Sequence, residues 1–420
     1  MSQAASNPAR HPLLVERSAG PQPVSPRRRR LAQALAFGGG SLAFPALAQK
    51  GDAPLRVGYA IARTGPWAGG AQVSQEPNYL MWAEQQNAAG GVDVKGLKRR
   101  IELISFDDRS EMETCIRTYE KLMGSDKVDL ILPPWGSNAN FALAPLANRH
   151  GYPMLAPTAL SRKLVDMNLP YFFSLLQQPD RMMGALVDLL VAQDIKSIAI
   201  LYMDDLFGLE NFAALNNALK KTRIQVVERK SYPLGVKDLS PVLRTVKDQN
   251  PDAFIGITYP PDTILASRQS KEIGFNPRLF YASVGTAFQL YRNVIGAGAE
   301  GVTGMGSWNA KSSAGAKAYF DAHKAKFGGK EPDRWASGHC WAGLEILTQA
   351  LGKVGMDRKA IRDYVARTEH QTIVGPIRFQ GSENATIPGS VGQWQKGEFE
   401  IVWPKQLATA QLAMPKPEWK

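Results

Sequence analysis

The stretch Asp126–Ser161, DKVDLILPPWGSNANFALAPLANRHGYPMLAPTALS, limits the possible folds more than any other part of the chain. Val128–Leu132 is apolar without alternation, the pattern of a strand covered on both faces. Pro133, Pro134 and Gly136 cannot continue a central strand, and Ser137 and Asn138 are good N-cap residues for the apolar run Phe141–Ala147. A second strand gives way at Pro153–Ser161 to Pro157, Thr158 and Ser161. Two adjacent parallel strands then end their loops on one carboxyl edge, where open α/β sheets bind ligands. That edge carries an aromatic plate, Trp135, the hydroxyls of Ser137 and Thr158, and free helix amides, a set suited to a small anionic or polar solute.

The same strand-loop-helix order fills most of the chain. Leu55–Ile61 reads as a buried strand ending in the loop Arg63–Gly70, and Ile101–Phe106 as a strand ending in Asp107-Asp108, an N-cap and hinge support for a helix beginning near Glu111. After Ser174 the cycle starts again, with strands at Ser197–Met203, Gln225–Lys230, Ala253–Thr258 and Arg278–Ala282 separated by helical runs. The expectation is an α/β fold of two Rossmann-like lobes with parallel sheets. Helices are read at 314–327, 335–351 and 358–367, and Lys396-Gly397 joins two short strands as a hairpin.

The net charge of +12 could suggest a nucleic-acid partner. Residues 1–48 hold six basic side chains and one acid, so without them the charge falls to +7, scattered among acids with no basic face. Those residues read as an export signal, with Arg27–Arg30, a moderately apolar stretch, and Ala46-Leu47-Ala48 as a cleavage site after Ala48. Arg28-Arg29-Arg30-Leu31 fits a twin-arginine route as well as the general secretory one. No other run is long enough to span a bilayer, so the mature chain is expected to be a soluble monomer in the periplasm. Cys115 and Cys340 are expected to be ordinary buried thiols.

No motif asks for a cofactor, a metal or catalysis. The histidines have no HExxH spacing, no serine stands in a G-x-S-x-G elbow, and neither cysteine is read as having a histidine nearby. Gly296-x-Gly298-x-x-Gly301 spells a dinucleotide fingerprint but precedes a strand, so it reads as a turn. Trp67 and Trp135 sit in loops beside Gly or Pro, and Tyr259 precedes Pro260-Pro261, which makes all three candidates for ligand contact. On that reading, replacing Trp135 by alanine weakens binding and leaves the fold intact.

Several short pieces in order carry a resemblance: Thr64-Gly65-Pro66, Asn87–Val92, Asp107-Asp108, Arg268-Gln269 with Gly274, and Val374–Phe379 with Gln393-Trp394 and Val402-Trp403-Pro404. From Leu55 to about Pro404 the chain resembles the periplasmic solute-binding proteins of the branched-chain amino-acid type. The resemblance implies three hinge crossings and a small organic solute enclosed between lobes. It also implies an inner-membrane ABC permease and ATPase as partner. The first lobe would comprise residues 49–174 with 308–370, and the second 175–307 with 371–420. Carboxylate-holding positions of the family match Gly136, Ser137, Ala156, Thr158 and Leu160, with Phe207 and Tyr259 flanking the ligand from the second lobe. The family's ammonium-binding acid would lie where Ser283, Val284 and Gly285 stand, although Asp262 could supply a carboxylate from a neighbouring turn. A buried ammonium without a counter-charge costs several kcal/mol. The lining of Trp67, Trp135, Phe207 and Tyr259 therefore favours a carboxylated aromatic or aliphatic compound, or an amide, over a plain amino acid. Two other readings stand beside the transport receptor: a ligand sensor for a signalling system, and a secreted hydrolase.

Overall fold

The strand Leu55–Ile61 is buried along nearly its whole length because helices cover both of its faces. Val57, Tyr59 and Ile61 join a core with Tyr79, Trp82 and Ile346, while Ala60 points into a second core with Tyr119, Leu143 and Met154. The absence of alternation in the sequence thus reflects a sheet that separates two apolar layers. These features come from a computed structural model, which describes residues 53–420. The export-signal reading of residues 1–48 lies outside the described residues.

In the first lobe, Leu55–Ile61 pairs in parallel with Ile101–Asp107 on one side and Leu130–Ile131 on the other. Met154–Ala156 runs parallel to Phe172–Ser174, and the strands Glu383–Asn384 and Phe379–Gln380 extend that edge. The strand expected over Val128–Leu132 is only two residues long as a paired element, cut short by Pro133 and Pro134. Asp107 does not cap the helix Met112–Glu120. Its carboxylate accepts the backbone N–H groups of Arg63 (3.0 Å), Thr64 (3.3 Å) and Arg109 (2.8 Å) and so holds the loop after the first strand.

The second lobe is built on a seven-stranded sheet. Its order is Glu398–Trp403, Val391–Gln395, Thr303–Met305, Leu279–Ala282, Ala253–Ile257, Ser197–Met203 and Gln225–Tyr232. The last five are parallel to one another, Thr303–Met305 pairs antiparallel with Val391–Gln395, and the first two strands form the expected hairpin. Lys396 (φ 51°) and Gly397 (φ 86°) both take the left-handed conformation that a tight two-residue hairpin turn requires. Within the sequence Gly296–Gly301, Gly296–Ala299 is a short 3₁₀ turn leading toward Thr303–Met305, not the opening of a nucleotide-binding helix.

The chain passes between lobes after Ser174, after Met305 and after Asn384. The third crossing differs from the boundary at residue 371 expected from sequence. Glu383 pairs with Ser174, so residues 371–384 stay with the first lobe and only Val391 onward joins the second sheet. The short pieces around Gly375-Pro376 and Gly381 have too little periodicity to reveal which sheet edge they meet. The crossing runs so close to the start of helix Pro179–Ala192 that a Cβ on Gly389 would overlap the carbonyl of Arg181.

Candidate functional site

The loops at the carboxyl ends of the two sheets meet. Helix Ala68–Ser74 of the first lobe packs against Pro260–Glu272 of the second, and Ser137–Arg149 against Leu206–Leu219. At the centre stands Trp135, only 2% exposed. It is fixed from behind: its indole N–H donates to Ser74 Oγ (2.9 Å), and its ring lies so flat on Gly70 that a Cβ there would overlap it. Across the cleft its ring centroid is 5.7 Å from that of Tyr259, which stacks on Phe207 at 5.1 Å. On the other side Trp335 meets Trp135 edge-on at 6.5 Å. Four rings thus form a continuous chain from one lobe to the other.

Polar contacts reinforce this meeting. Asp205 caps helix Leu206–Leu219 by accepting the N–H of Gly208 (2.9 Å). Its other oxygen accepts the Tyr259 hydroxyl (2.7 Å) and, from the opposite lobe, the side-chain amide of Asn138 (2.9 Å). Glu210, one turn further on, accepts the backbone N–H groups of Arg162 (2.9 Å) and Lys163 (3.2 Å) in the first lobe.

The groups expected to hold a carboxylate are brought together, and they are directed at each other. Gly136 N–H donates to Thr158 Oγ (3.0 Å), whose hydroxyl donates to Gln75 (2.9 Å). Leu160 N–H donates to Ser137 Oγ (3.0 Å), which returns its proton to the Leu160 carbonyl (3.2 Å). Ala156 lies beneath them, buried, with its carbonyl bonded to Leu175 N–H. Trp67 is half-buried at the start of helix Ala68–Ser74, its backbone N–H held by Ser110 Oγ (3.1 Å).

Ser283 and Val284 are bonded to Thr258, the residue before Tyr259. Ser283 Oγ clamps Thr258, accepting its N–H (2.8 Å) and donating to its carbonyl (3.0 Å), and Val284 is buried with its carbonyl held by Thr263. Both join the ends of two strands. Asp262 sits in the first turn of helix Pro260–Glu272, 6% exposed, accepting the Tyr232 hydroxyl at 3.3 Å.

A family profile described as periplasmic binding protein matches residues 54–398. The chain belongs to that family. A Leu/Ile/Val-binding protein homologue of Brucella suis is 24% identical over 357 residues, covering 79% of this chain and 87% of its own. Among solved structures, the branched-chain amino acid substrate-binding protein LivJ of Streptococcus pneumoniae, in complex with isoleucine, superposes with a TM-score of 0.74. It is 18% identical and covers 86% of this chain and 100% of its own. A solute-binding protein of an ABC transporter from R. palustris, in complex with benzoate, also gives 0.74, at 16% identity over 87% of this chain and 97% of its own. The fold is therefore that of the type I periplasmic binding proteins, and the family consists of substrate-binding proteins.

Several residues that build this periplasmic binding protein's cleft escape a reading of the sequence. Asp205 and Asn138 carry recognisable capping signals, yet their pairing across the cleft has no sequence signature. Trp335 reads as the first residue of a helix, whereas the helix begins at Ser337 and is capped by buried Asp333, which accepts the N–H groups of Trp335 (2.8 Å) and Ala336 (2.7 Å). His339 immediately precedes Cys340, contrary to the expectation that neither cysteine has a histidine nearby. The two diverge on the helix: the imidazole faces the Trp335 carbonyl and Gln177, the thiol the Gln75 carbonyl. Burial pushes the thiol well above its usual range and the imidazole down to about 4, the opposite of what a thiolate–imidazolium pair needs.

Burial likewise raises the Asp262 carboxyl to about 6, with the Tyr232 and Tyr259 bonds and Lys237 only partly offsetting it and Asp205 adding to it. The folded state holds this proton more tightly than the unfolded chain does. The stability linked to it is therefore complete below about pH 4 and is lost as pH rises through about 6. Asp262→Asn is expected to melt higher than the parent at pH 7.5, with the gap closing toward pH 4.5. Thermal melts across that range check this, and a gap that widens on acidification would refute it.

Proposed function

We propose that this protein is the extracytoplasmic receptor of an ABC-type uptake system. It closes its lobes around one small organic solute and presents the closed form to an inner-membrane permease and ATPase. The reading includes export by the general secretory or twin-arginine route with cleavage after Ala48, action as a soluble monomer, and release of the solute unchanged. The observation that carries it is the contact of Trp135 with Tyr259 across the lobes, joined by the Asn138–Asp205 bond. Mechanistically, a solute that touches both lobes binds the closed form better than the open one, and that difference in affinity moves the equilibrium.

The chemistry of the lining supports a carboxylated aromatic or aliphatic compound, an amide or an amino acid. Trp67, Trp135, Gly136, Ser137, Ala156, Thr158, Phe207, Tyr259 and Asp262 are the residues assigned to the site, with Ser283 and Val284 supporting it from beneath. Isoleucine, an amino acid, and benzoate, a carboxylated aromatic, occupy two of the structural relatives. A thermal-shift screen with amino acids, aromatic acids, dicarboxylates and amides tests the proposal. A true solute at a thousand times its Kd stabilises the fold by about 4 kcal/mol. A folded preparation whose melting no member of the screen moves would count against a receptor for these classes.

A further inference from the structure

Trp335 combines a rigid setting with an unused hydrogen-bond donor. Its turn is fastened to the second lobe, where Arg334 N–H donates to the Ala287 carbonyl (3.2 Å) and Glu331 N–H to Gln289 (3.0 Å), and to the crossing after Met305, whose Ser307 N–H donates to the Arg334 carbonyl (2.8 Å). The Arg334 guanidinium, itself buried, pairs with Glu331 and lies 4.9 Å over the Phe320 ring. The turn therefore bridges both lobes while its ring, 2% exposed, meets Trp135 in the cleft. The Trp335 indole N–H is buried and has no acceptor among the described residues.

A buried donor left without an acceptor costs roughly 1–3 kcal/mol, so its presence beside a binding cleft needs a reason. Trp67 and Trp308 also have unpartnered indole N–H groups; Trp308 is wedged against Gly338 in a separate core with Tyr319, and Trp67 is a half-buried residue at the start of its helix, with no ring contact to the chain of four. Trp135 spends its own N–H on Ser74. The amides of Gly136 and Leu160 already have hydroxyl acceptors, and Asp205 already has three donors. Of the two site tryptophans with a spare donor, Trp335 is the one whose ring meets Trp135, so a buried, unpartnered N–H stands beside the aromatic chain while the Asp205 carboxylate is already shared.

Building on the reading of the cleft as a solute site, we propose that the Trp335 indole N–H binds a carboxylate oxygen of a planar aromatic acid. The solute's ring lies against the chain Trp135, Tyr259 and Phe207. An indole can only donate, so the solute must bring the acceptor, and an ionised oxygen makes the stronger bond. The Trp335 donor gives an α-ammonium group no acceptor, and the flat aromatic faces match a planar ring better than a branched aliphatic chain, which selects benzoate-like acids over leucine-like ones.

Titration calorimetry with benzoate and with leucine, on the parent and on Trp335→Phe, tests this. The expected result is tighter binding of benzoate than of leucine by the parent, and a loss of about tenfold or more in benzoate affinity for the variant, which keeps an aromatic ring at that position. In the parent labelled with 15N-tryptophan, the indole signal that Trp335→Phe removes should shift downfield on adding benzoate, a readout that does not depend on the variant's stability. Unchanged benzoate affinity in Trp335→Phe, or an indole signal that stays in place, overturns the proposal. Preference for leucine, or binding of neither probe, overturns it too. The receptor reading is judged separately by the wider thermal-shift screen.

Discussion

Gly208→Ala is expected to lower stability by about 3 kcal/mol or more, at the upper end of what overpacking a core costs. A Cβ on Gly208 would overlap the carbonyl oxygen of Met203, and both groups belong to backbone that cannot step aside. The strand Ser197–Met203 is held on both edges of the second sheet, by Ala253–Ile257 and by Gln225–Tyr232. Relief must therefore come from the helix, which would break the Gly208–Asp205 cap and carry Phe207 away from Tyr259. For a lobe-sized domain each kcal/mol shifts the melting temperature by roughly 2–4 °C, so the loss is easily read in a thermal melt. Solute affinity should fall with it, because Asp205 and Phe207 both hang on that first turn. A variant that melts and binds like the parent would mean the approach to Met203 is not as close as described.

Trp135→Ala should show the second large effect, on two properties at once. The sequence reading treats the ring as removable without harm to the fold. Its burial, its bond to Ser74 and its place in the main core cluster imply a stability loss of roughly 3–5 kcal/mol as well. Solute binding should weaken by about thirtyfold or more, the behaviour of a central aromatic anchor. Trp135→Phe separates the two contributions: it keeps a face toward Tyr259 and loses the Ser74 bond, so stability should drop while much of the affinity survives. Calorimetry at a temperature where all three proteins are folded checks this. Affinity in Trp135→Ala equal to that of the parent would remove Trp135 from the site.

What the sequence made legible is what neighbouring residues determine. Leu55–Ile61 and Ala253–Ile257 announce themselves as doubly covered strands by lacking alternation, and Lys396-Gly397 announces a hairpin by its turn chemistry. Ser137 and Thr158 can be picked out as hydroxyls at strand ends before any fold is known. Long-range pairings stayed hidden. Nothing near Asp205 says that Asn138 will reach it from the other lobe, and nothing near Gly70 says that a tryptophan will lie on it. Trp335 hides for a related reason: a helix pattern runs through it, and only buried Asp333 stops the helix two residues short. The place of residues 371–384 beside the first lobe is hidden too, because the pairing of Glu383 with Ser174 joins segments far apart in the chain. Tertiary context decides such cases against local pattern.

The account rests on a solute being held where the two lobes meet. A crystal structure with the compound that most raises the melting temperature tests that claim directly. The account predicts one molecule per chain, in contact with both Trp135 and Tyr259, with the lobes closed over it. A compound bound on one lobe alone, leaving those two rings as they stand without it, would contradict it.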